Sequence, residues 1–223
     1  MSIPAADLEK LTGHDVEAAG LPDWRFMFTT IEAVFSTPSY AAGLALVAAI
    51  GAAAEEADHH PDLDLRYAAL HVRLGSHDIG GVSRRDLRLA ERISALAAEV
   101  GATARPERVQ VVELGLDTWN RDAVRPFWAA LLGLPEDPEQ PMEIVDPAGR
   151  VHTLWFQHTE EHPTPRQRFH YDVRVAHDVV EQRIAAALAA GGTLVDDSAA
   201  PAFWVLADAQ GNRACLTTWQ GRE

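Results

Sequence analysis

The chain has 223 residues, of which 47% are hydrophobic, so it can form one large or two small domains with cores of their own. Its formal net charge of −14 would repel a nucleic-acid backbone, which argues against DNA or RNA as a partner. Lys10 is the only lysine and Cys215 the only cysteine, which argues against Schiff-base chemistry and excludes an intramolecular disulfide.

The N-terminal sequence predicts a cytoplasmic protein that is not bound to a membrane. Residues 1–7 lack the basic and apolar regions of a signal peptide. The most apolar run, residues 41–54, is mostly alanine and too short to cross a bilayer.

Residues 1–104 are predicted to form a first domain in which strands flank one long helix. Strands are predicted at residues 24–28, 31–35 and 63–74, where apolar residues cluster or alternate with polar ones. The sequence Thr37-Pro38-Ser39 predicts the start of a helix over residues 39–57, with Tyr40, Leu44, Val47, Ala48 and Gly51 on one face. We expect Pro61 to end this helix.

A loop and a second amphipathic helix complete this domain. Residues 75–81 predict a loop that carries His77, and Ser83 predicts the N-cap of a helix that reaches about residue 100. Leu87, Ala90, Ile93, Leu96 and Ala97 form its apolar stripe. Glycine, alanine and proline in residues 101–106 predict a linker.

Residues 105–223 are predicted to form a second domain that contains an internal repeat. A strand at 108–116, a helix at 121–132 and two further strands are followed by a similar series. That series has a strand at 169–175, a helix at 179–190 and three short strands. The predicted fold class is therefore α+β, with an antiparallel sheet and helices first and paired βαβββ modules second.

Three histidines are the candidate reactive groups of the first domain. Neutral histidine can accept or donate a proton near pH 7, so His59, His60 and His77 could supply an acid and a base in one turnover. Adjacent His59 and His60 point in different directions on regular structure, which disfavours a shared metal ion. A structural alternative is that His59 and His60 cap a helix C-terminus and that His77 is a loop residue.

The longer pattern resembles the pterin-4a-carbinolamine dehydratase family. That family has a long helix ending in His-His-Pro, an alternating strand, a Ser/Thr-His loop and a Ser-x-x-Asp helix start. This sequence has Asp-His-His-Pro at 58–61, Ser-His at 76–77 and Ser-Arg-Arg-Asp at 83–86. The resemblance covers about residues 24–101.

The resemblance implies dehydration of 4a-hydroxytetrahydropterin to quinonoid dihydropterin, as in tetrahydrobiopterin recycling, with a small pterin substrate and no metal or other cofactor. It implies that His59 and His77 are the acid/base pair and that His60 binds and orients the substrate. Asp58 and Ser76 are expected to offer backbone groups to the pterin ring, and Pro61 to fix the loop shape. Asp86 would orient a histidine, or serve only as the third residue of a helix. The family also implies a homo-oligomer, a dimer or tetramer.

The second domain resembles the glyoxalase-like branch of the vicinal oxygen chelate group. Residues 127–134, 170–173 and 208–216 carry this likeness. Metal-binding members present four ligands, and the matching positions here are Gln110, His170 and Cys215, with Gln157 a loose fourth. Because Cys215 stands where a carboxylate is needed, we predict no Mg²⁺, Mn²⁺ or Fe²⁺ site, which leaves Gln110 and His170 as weak metal candidates. A ligand cleft lined by His170, Trp155, Trp204 and Trp219 is the alternative.

Two rival functions remain open from the sequence. The second domain could carry the main activity as a glyoxalase-like enzyme or ligand-binding protein. The whole chain could also act without catalysis, as a dimerisation or interaction protein.

Overall fold

A computed structural model describes residues 4–27, 29–111, 114–161, 170–175, 179–218 and 220–221. The chain divides into two compact units, Met1–Val111 and Val112–Glu223. Each unit has its own cluster of buried hydrophobic residues.

The first unit combines helices with an antiparallel sheet, in agreement with the predicted fold class. Its strands are β1 (Arg25–Met27), β2 (Thr30–Ser36), β3 (Asp62–Arg66), β4 (Ala69–Leu74) and β5 (Thr103–Ala104). Its helices are α1 (Gly13–Ala18), α2 (Tyr40–Ala57) and α3 (Arg84–Glu99). The main strand order is β1-β2-β4-β3, and β5 pairs with β2. The predicted linker at residues 101–106 therefore contains a strand.

Alternation along β2 and β4 places the core on one face of this sheet. Ile31, Ala33 and Phe35 of β2 are fully or almost fully buried, as are Leu70, Val72 and Leu74 of β4. These side chains belong to one cluster with Leu46 and Ile50 of α2 and Ile93 of α3. Burial of this apolar surface holds both helices against the sheet, and α2 and α3 deliver the residues of the candidate site.

The buried face of α2 differs from the predicted one. Gly43, Leu46, Ile50, Ala53 and Ala54 are buried, whereas Tyr40 and Leu44 are 49% and 50% exposed. Alanine occupies so many positions of this helix that hydrophobic spacing does not single out one face. Gly43 marks the true contact, because a Cβ there would lie 2.7 Å from Leu65 Cδ1.

Helix α2 is also the one described helix that is long and apolar enough, by length and composition alone, to cross a membrane. The helix has 18 residues, so it is longer than the apolar run at residues 41–54 on which the sequence prediction is based. Leu46, Ile50 and Ala53 pack into the core of the first unit, and a core helix of a folded domain passes the same test.

Helix α2 ends before the position of Pro61. Asp58 adopts a left-handed conformation with φ 47° and forms the C-cap. The backbone N–H of His59 then donates to the Ala54 carbonyl over 3.1 Å, which closes the last turn. The helix end is thus set by a left-handed cap, and the proline follows it.

The second unit contains two strand–helix–strand modules. The first has β6 (Leu114–Thr118), α4 (Arg121–Leu132), β7 (Glu143–Ile144) and β8 (Leu154–His158). The second has β9 (Tyr171–Arg174), α5 (Val180–Ala189), β10 (Thr193–Asp196), β11 (Phe203–Ala207) and β12 (Arg213–Thr217). In each module the first and last strands pair in parallel, β6 with β8 and β9 with β12. Among the described residues the first module has one strand fewer than the second.

A buried carboxylate with polar partners lies on the sheet face opposite the core cluster. The Glu32 side chain is buried, and its carboxylate accepts a hydrogen bond from the Thr30 hydroxyl at 3.0 Å and lies 2.8 Å from His71 Nε2. Burial alone would raise the pKa of Glu32, but His71, Thr30 and Arg73 together hold it below its usual value. This placement agrees with a structural role for His71.

We expect His71→Ala to lower the free energy of unfolding by about 1–2 kcal/mol at pH 7, because it leaves a buried carboxylate with fewer donors. A lowered acid pKa contributes stability above the ordinary pKa, and this is lost as pH falls through the folded value. The difference between wild type and variant should therefore shrink in acid. Urea unfolding at pH 7 and at about pH 3.5 measures it, with the exposed Arg66→Ala as control. An equal loss at both pH values contradicts the prediction.

Candidate active site

His59 lies in a buried position between the end of α2 and the start of α3. It is 8% exposed, and its Nε2 atom lies 2.7 Å from Oδ1 of Asp86. The left-handed cap at Asp58 turns the chain so that the next residue, His59, is buried. The two partners are 27 positions apart in sequence, so the packing of α2 against α3 creates this pair.

Asp86 is a buried carboxylate that collects donors from both sides. Its Oδ2 atom accepts from the Ser83 backbone N–H and from Ser76 Oγ, both at 2.7 Å, and from Ser83 Oγ at 3.1 Å. Burial would raise the pKa of Asp86, but hydrogen bonds from His59, Ser83 and Ser76 lower it. Asp86 therefore stays ionised at neutral pH, and its carboxylate both contacts His59 and completes the Ser83 capping box.

His60 lies at the surface beside this pair. Its side chain is 57% exposed, and its Nε2 atom lies 3.0 Å from Glu55 Oε1. Asp58 is exposed and Pro61 half-buried. The acidic end of α2 thus has a local hydrogen-bond partner, and both members of this pair are largely exposed.

His77 lies in a short loop that is closed on itself. Ser76 and Gly81 exchange backbone hydrogen bonds of 2.7 and 3.3 Å, and His77–Ile79 form one turn of 3-10 helix. His77 itself is exposed. The loop is held from outside by Lys10, whose Nζ donates to the Gly80 carbonyl over 2.7 Å.

Ser76 differs from its expected role. Its backbone N–H donates to Gly81 rather than remaining open to a ligand, and its buried hydroxyl contacts Ser83 and Asp86. The structure therefore places Ser76 in the network that fixes Asp86.

An open surface cavity of about 300 Å³ lies beside His59 between α2 and α3. Its described lining residues are Ala53, Glu56, Ala57, His59, Arg85, Arg88, Leu89 and Arg92. Sequence reasoning did not identify this feature. The available signal was the spacing of Arg85, Arg88 and Arg92, which places three cations on one face of a helix.

In the second unit, one cluster of possible metal ligands involves His170. Its nitrogen, a carboxylate oxygen of Asp172 and the sulfur of Cys215 all lie within 4.8 Å of one another. Gln110, the other weak candidate, is exposed in the first unit, and Gln157 is exposed with its amide directed at the His158 carbonyl. The described residues thus bring together only one of the two weak candidates with Cys215.

The donor chemistry of this cluster does not fit a hard divalent cation. Such ions prefer oxygen ligands, whereas the cluster offers one carboxylate, one imidazole and one thiol. Burial and the neighbouring Asp172 raise the pKa of the Cys215 thiol, which favours its protonated, non-ligating form.

Of the tryptophans in the alternative cleft, the structure describes Trp155 and Trp204. Trp155 is 37% exposed and lies against Gly115, but Trp204 is 7% exposed and belongs to the core of the second unit. Trp204 and Leu206 share the buried face of β11, so alternation directs this tryptophan inward. Trp219 lies outside the described residues.

Comparison with known proteins matches both units to families. Residues 9–96 match the family model for pterin 4 alpha carbinolamine dehydratase, and residues 113–217 match that for a glyoxalase-like domain. A relative from Thermosynechococcus vestitus, provisionally named as a pterin-4-alpha-carbinolamine dehydratase, is 37% identical over 91 residues. The match covers 40% of this chain and 96% of that relative.

Two solved structures are similar to the separate units. A transcriptional coactivator/pterin dehydratase from Brucella melitensis is 26% identical, with a TM-score of 0.39, and the match covers 40% of this chain and 99% of that one. A glyoxalase/bleomycin resistance protein/dioxygenase family enzyme from Burkholderia phytofirmans is 17% identical, with a TM-score of 0.40, and the match covers 49% and 98%.

Proposed function

The chain belongs, through residues 9–96, to the pterin-4a-carbinolamine dehydratase family, and we propose that it dehydrates 4a-hydroxytetrahydropterin to quinonoid dihydropterin. The observation that carries this proposal is the His59–Asp86 pair, in which a nearly buried imidazole is fixed by an ionised carboxylate. Residues 113–217 form a glyoxalase-like domain, and no step of the proposed reaction uses them.

The reaction needs one acid and one base and no redox partner. The C4a–O bond breaks, and the departing hydroxyl takes a proton to leave as water. N5 loses its proton, and an electron pair of N5 forms the N5=C4a double bond. Two histidines of suitable position can perform both transfers.

Asp86 decides which nitrogen of His59 is available. An ionised carboxylate can only accept a hydrogen bond, so neutral His59 must carry its proton on Nε2. The lone pair then lies on Nδ1. We assign His59 as the base that removes the N5 proton, because Asp86 also stabilises the imidazolium that this step creates.

His77 is then the acid that protonates the leaving hydroxyl. Its exposed side chain allows exchange of protons with solvent between turnovers, and the closed Ser76–Gly81 loop fixes its backbone. Asp58 and Pro61 remain at the edge of the proposed pterin site as binding residues. Ser76 supports the site through Asp86.

His60 is proposed to bind and orient substrate, and its replacement should separate binding from chemistry. We expect His60→Ala to raise KM about tenfold while changing kcat less than about threefold, because Glu55, its partner among the described residues, is exposed and does not link it to proton transfer. Steady-state kinetics measure both constants. Glu55→Gln, which removes only the surface partner of His60, serves as the control. A loss in kcat as large as that of a His59 variant would show that His60 takes part in the chemistry.

We further propose a cytoplasmic homo-oligomer, a dimer or tetramer, that acts on a small pterin and uses no metal or other cofactor. The exposed apolar side chains of Tyr40 and Leu44 on α2 support self-association. The mismatch of His170, Asp172 and Cys215 with a hard cation supports the absence of a Mg²⁺, Mn²⁺ or Fe²⁺ site at this cluster.

The direct test is turnover by the purified full chain. The carbinolamine is generated in situ with a pterin-dependent hydroxylase, and formation of quinonoid dihydropterin is followed by absorbance. Acceleration over the uncatalysed dehydration supports the proposal, and a rate equal to that of the uncatalysed reaction overturns it.

A further inference from the structure

The cavity beside His59 is lined by three arginines although the chain as a whole is strongly acidic. The lining residues Arg85, Arg88, Arg92 and Glu56 carry a formal charge of +2 with neutral histidine, and Asp7 and Asp78, which do not line the cavity, pair with Arg88 and Arg85. The whole chain carries −14. A concentration of arginines in one cavity of an acidic protein is a local electrostatic feature that favours an anion.

The three arginines lie on one face of α3, so they can act on one ligand. Their positions differ by three and four residues, the spacing of neighbours along a helix surface. The apolar wall opposite them comes from Ala53 and Ala57 of α2. Glu56 of α2 and Leu89 of α3 also line the cavity, so the cationic side chains come from α3 alone while apolar ones come from both helices.

Each arginine already contacts a carboxylate but keeps donors for another group. Asp7 accepts from both terminal nitrogens of Arg88 at 2.9 and 2.8 Å, and Asp78 and Glu56 each accept from a single terminal nitrogen of Arg85 and Arg92. A guanidinium has five N–H groups. These contacts leave N–H groups on Arg88 and Arg92 available to another acceptor. The two side chains are 59% and 56% exposed.

Of the three arginine–carboxylate contacts, the one between Arg92 and Glu56 is the easiest for an anion to replace. Both side chains are more than half exposed, at 56% and 66%. Pairs of this kind contribute little to stability, so Glu56 can yield its place to a ligand anion at small cost.

His59 joins this cavity to the proposed reaction site. His59 lines the cavity, whereas His77, the proposed acid, is not among its described lining residues. A pterin ring between His59 and His77 would therefore have one side toward the cavity. A substituent of the ring, rather than the ring itself, is the group that the cavity suits.

We propose that the cavity is a subsite for an anionic side chain of the pterin, a phosphate or carboxylate group held by Arg88 and Arg92. This inference rests on the proposed dehydratase function and names its substrate class: a reduced pterin whose ring substituent ends in an anion. Arginine suits both anions because its planar N–H groups match two oxygens at once.

Binding of three stable dihydropterins to the full chain tests the subsite. The probes are 7,8-dihydroneopterin, which is neutral, its 3′-phosphate, and 7,8-dihydrofolate, which ends in carboxylates. We expect the phosphate to bind about tenfold or more tightly than the neutral compound, with a preference that falls as salt rises. Inorganic phosphate should compete with the phosphorylated probe. A comparable gain for dihydrofolate assigns a carboxylate side chain, and a gain for the phosphate alone assigns a phosphate.

Variants identify the residues responsible. Arg92→Gln and Arg88→Gln should each reduce the ratio of phosphate to neutral affinity about three- to tenfold, and Glu56→Gln should raise it about two- to fivefold. Arg66→Gln, an exposed arginine on β3 whose partner is Asp64, is the matched control and should leave the ratio unchanged. Equal affinities in the wild type, an unchanged ratio in Arg92→Gln, or the same reduction in Arg66→Gln overturns the inference.

Failure of this inference is distinguishable from failure of the proposed function. Dehydration of the neutral 4a-hydroxy-6-methyltetrahydropterin by the same protein tests the reaction without any anionic side chain. Turnover of that compound together with equal affinities for the neutral and charged probes removes the subsite and leaves the dehydratase.

Discussion

Replacing either His59 or His77 with alanine is expected to lower kcat for dehydration of 4a-hydroxytetrahydropterin by about 10²–10⁴-fold, the usual contribution of a positioned acid or base. His59 is held by a 2.7 Å contact to an ionised carboxylate in a position that is 8% exposed, so its imidazole has a fixed orientation. Initial rates with carbinolamine generated in situ measure the loss.

The two variants should differ in their pH dependence. His59→Ala removes the proposed base, so added imidazole is expected to restore part of the rate as the concentration of its neutral form rises. His77→Ala removes the proposed acid, and rescue should follow the protonated form. His14→Ala, an exposed histidine of α1, is the control. Normal rates in both site variants contradict the assignment, and an identical loss in His14→Ala shows that the effect is not specific to the site.

Replacing Asp86 with alanine is expected to cost about 3–5 kcal/mol of unfolding free energy, because it leaves several buried hydrogen-bond donors without this acceptor. Four donor groups contact this carboxylate: His59 Nε2, the Ser83 N–H, and the hydroxyls of Ser83 and Ser76. Without Asp86 the two hydroxyls keep, among the described residues, only each other as an acceptor. The pKa of Asp86 is lowered in the fold, so this stability is present above the ordinary aspartate pKa and is lost as pH falls through the folded value. Urea unfolding at several pH values measures both features.

Asp86→Asn separates positioning from folding. An asparagine has one acceptor oxygen, so it can satisfy either His59 or the Ser83 N–H but not both. If the amide nitrogen faces His59, the imidazole must move its proton to Nδ1 and can no longer act as the base. We expect a stability loss of about 1–3 kcal/mol and a fall in kcat with little change in KM.

Ser83→Ala is the matched control for this experiment. It removes a helix-capping hydroxyl at a cost of about 1 kcal/mol but leaves the His59–Asp86 contact in place, so kcat should stay within about threefold. If Asp86→Asn is destabilised and fully active, Asp86 serves only the helix start and the proposed tautomer control is wrong.

Helix boundaries near the site can be predicted from sequence where a residue type has a specific capping role. Ser83 and Asp86 indicate a helix start by their spacing, and the structure shows both hydrogen bonds of the capping box. The end of α2 is harder to predict from sequence. Aspartate in a left-handed cap is uncommon, and the nearby Pro61 offers a simpler explanation for where the helix ends. The face of α2 is undetermined for the same kind of reason, since alanine marks neither core nor surface.

The chemistry of the site depends on contacts between distant segments. His59 is recognisable from the histidine motif, but its tautomer follows from Asp86, 27 residues later. Arg88 meets Asp7 across 81 positions, and no local pattern connects them. The cavity exists only because α2 and α3 pack side by side, so its arginines carry no separate signal beyond their helical spacing.

The rate of quinonoid dihydropterin formation by wild type and by the His59→Ala/His77→Ala double variant, at equal concentration, shows whether these histidines catalyse the dehydration. We expect the wild type to accelerate dehydration well above the uncatalysed rate and the double variant to fall to that rate, with no further loss than the more severe single variant. Equal acceleration by both proteins would rule out His59 and His77 as the acid and base.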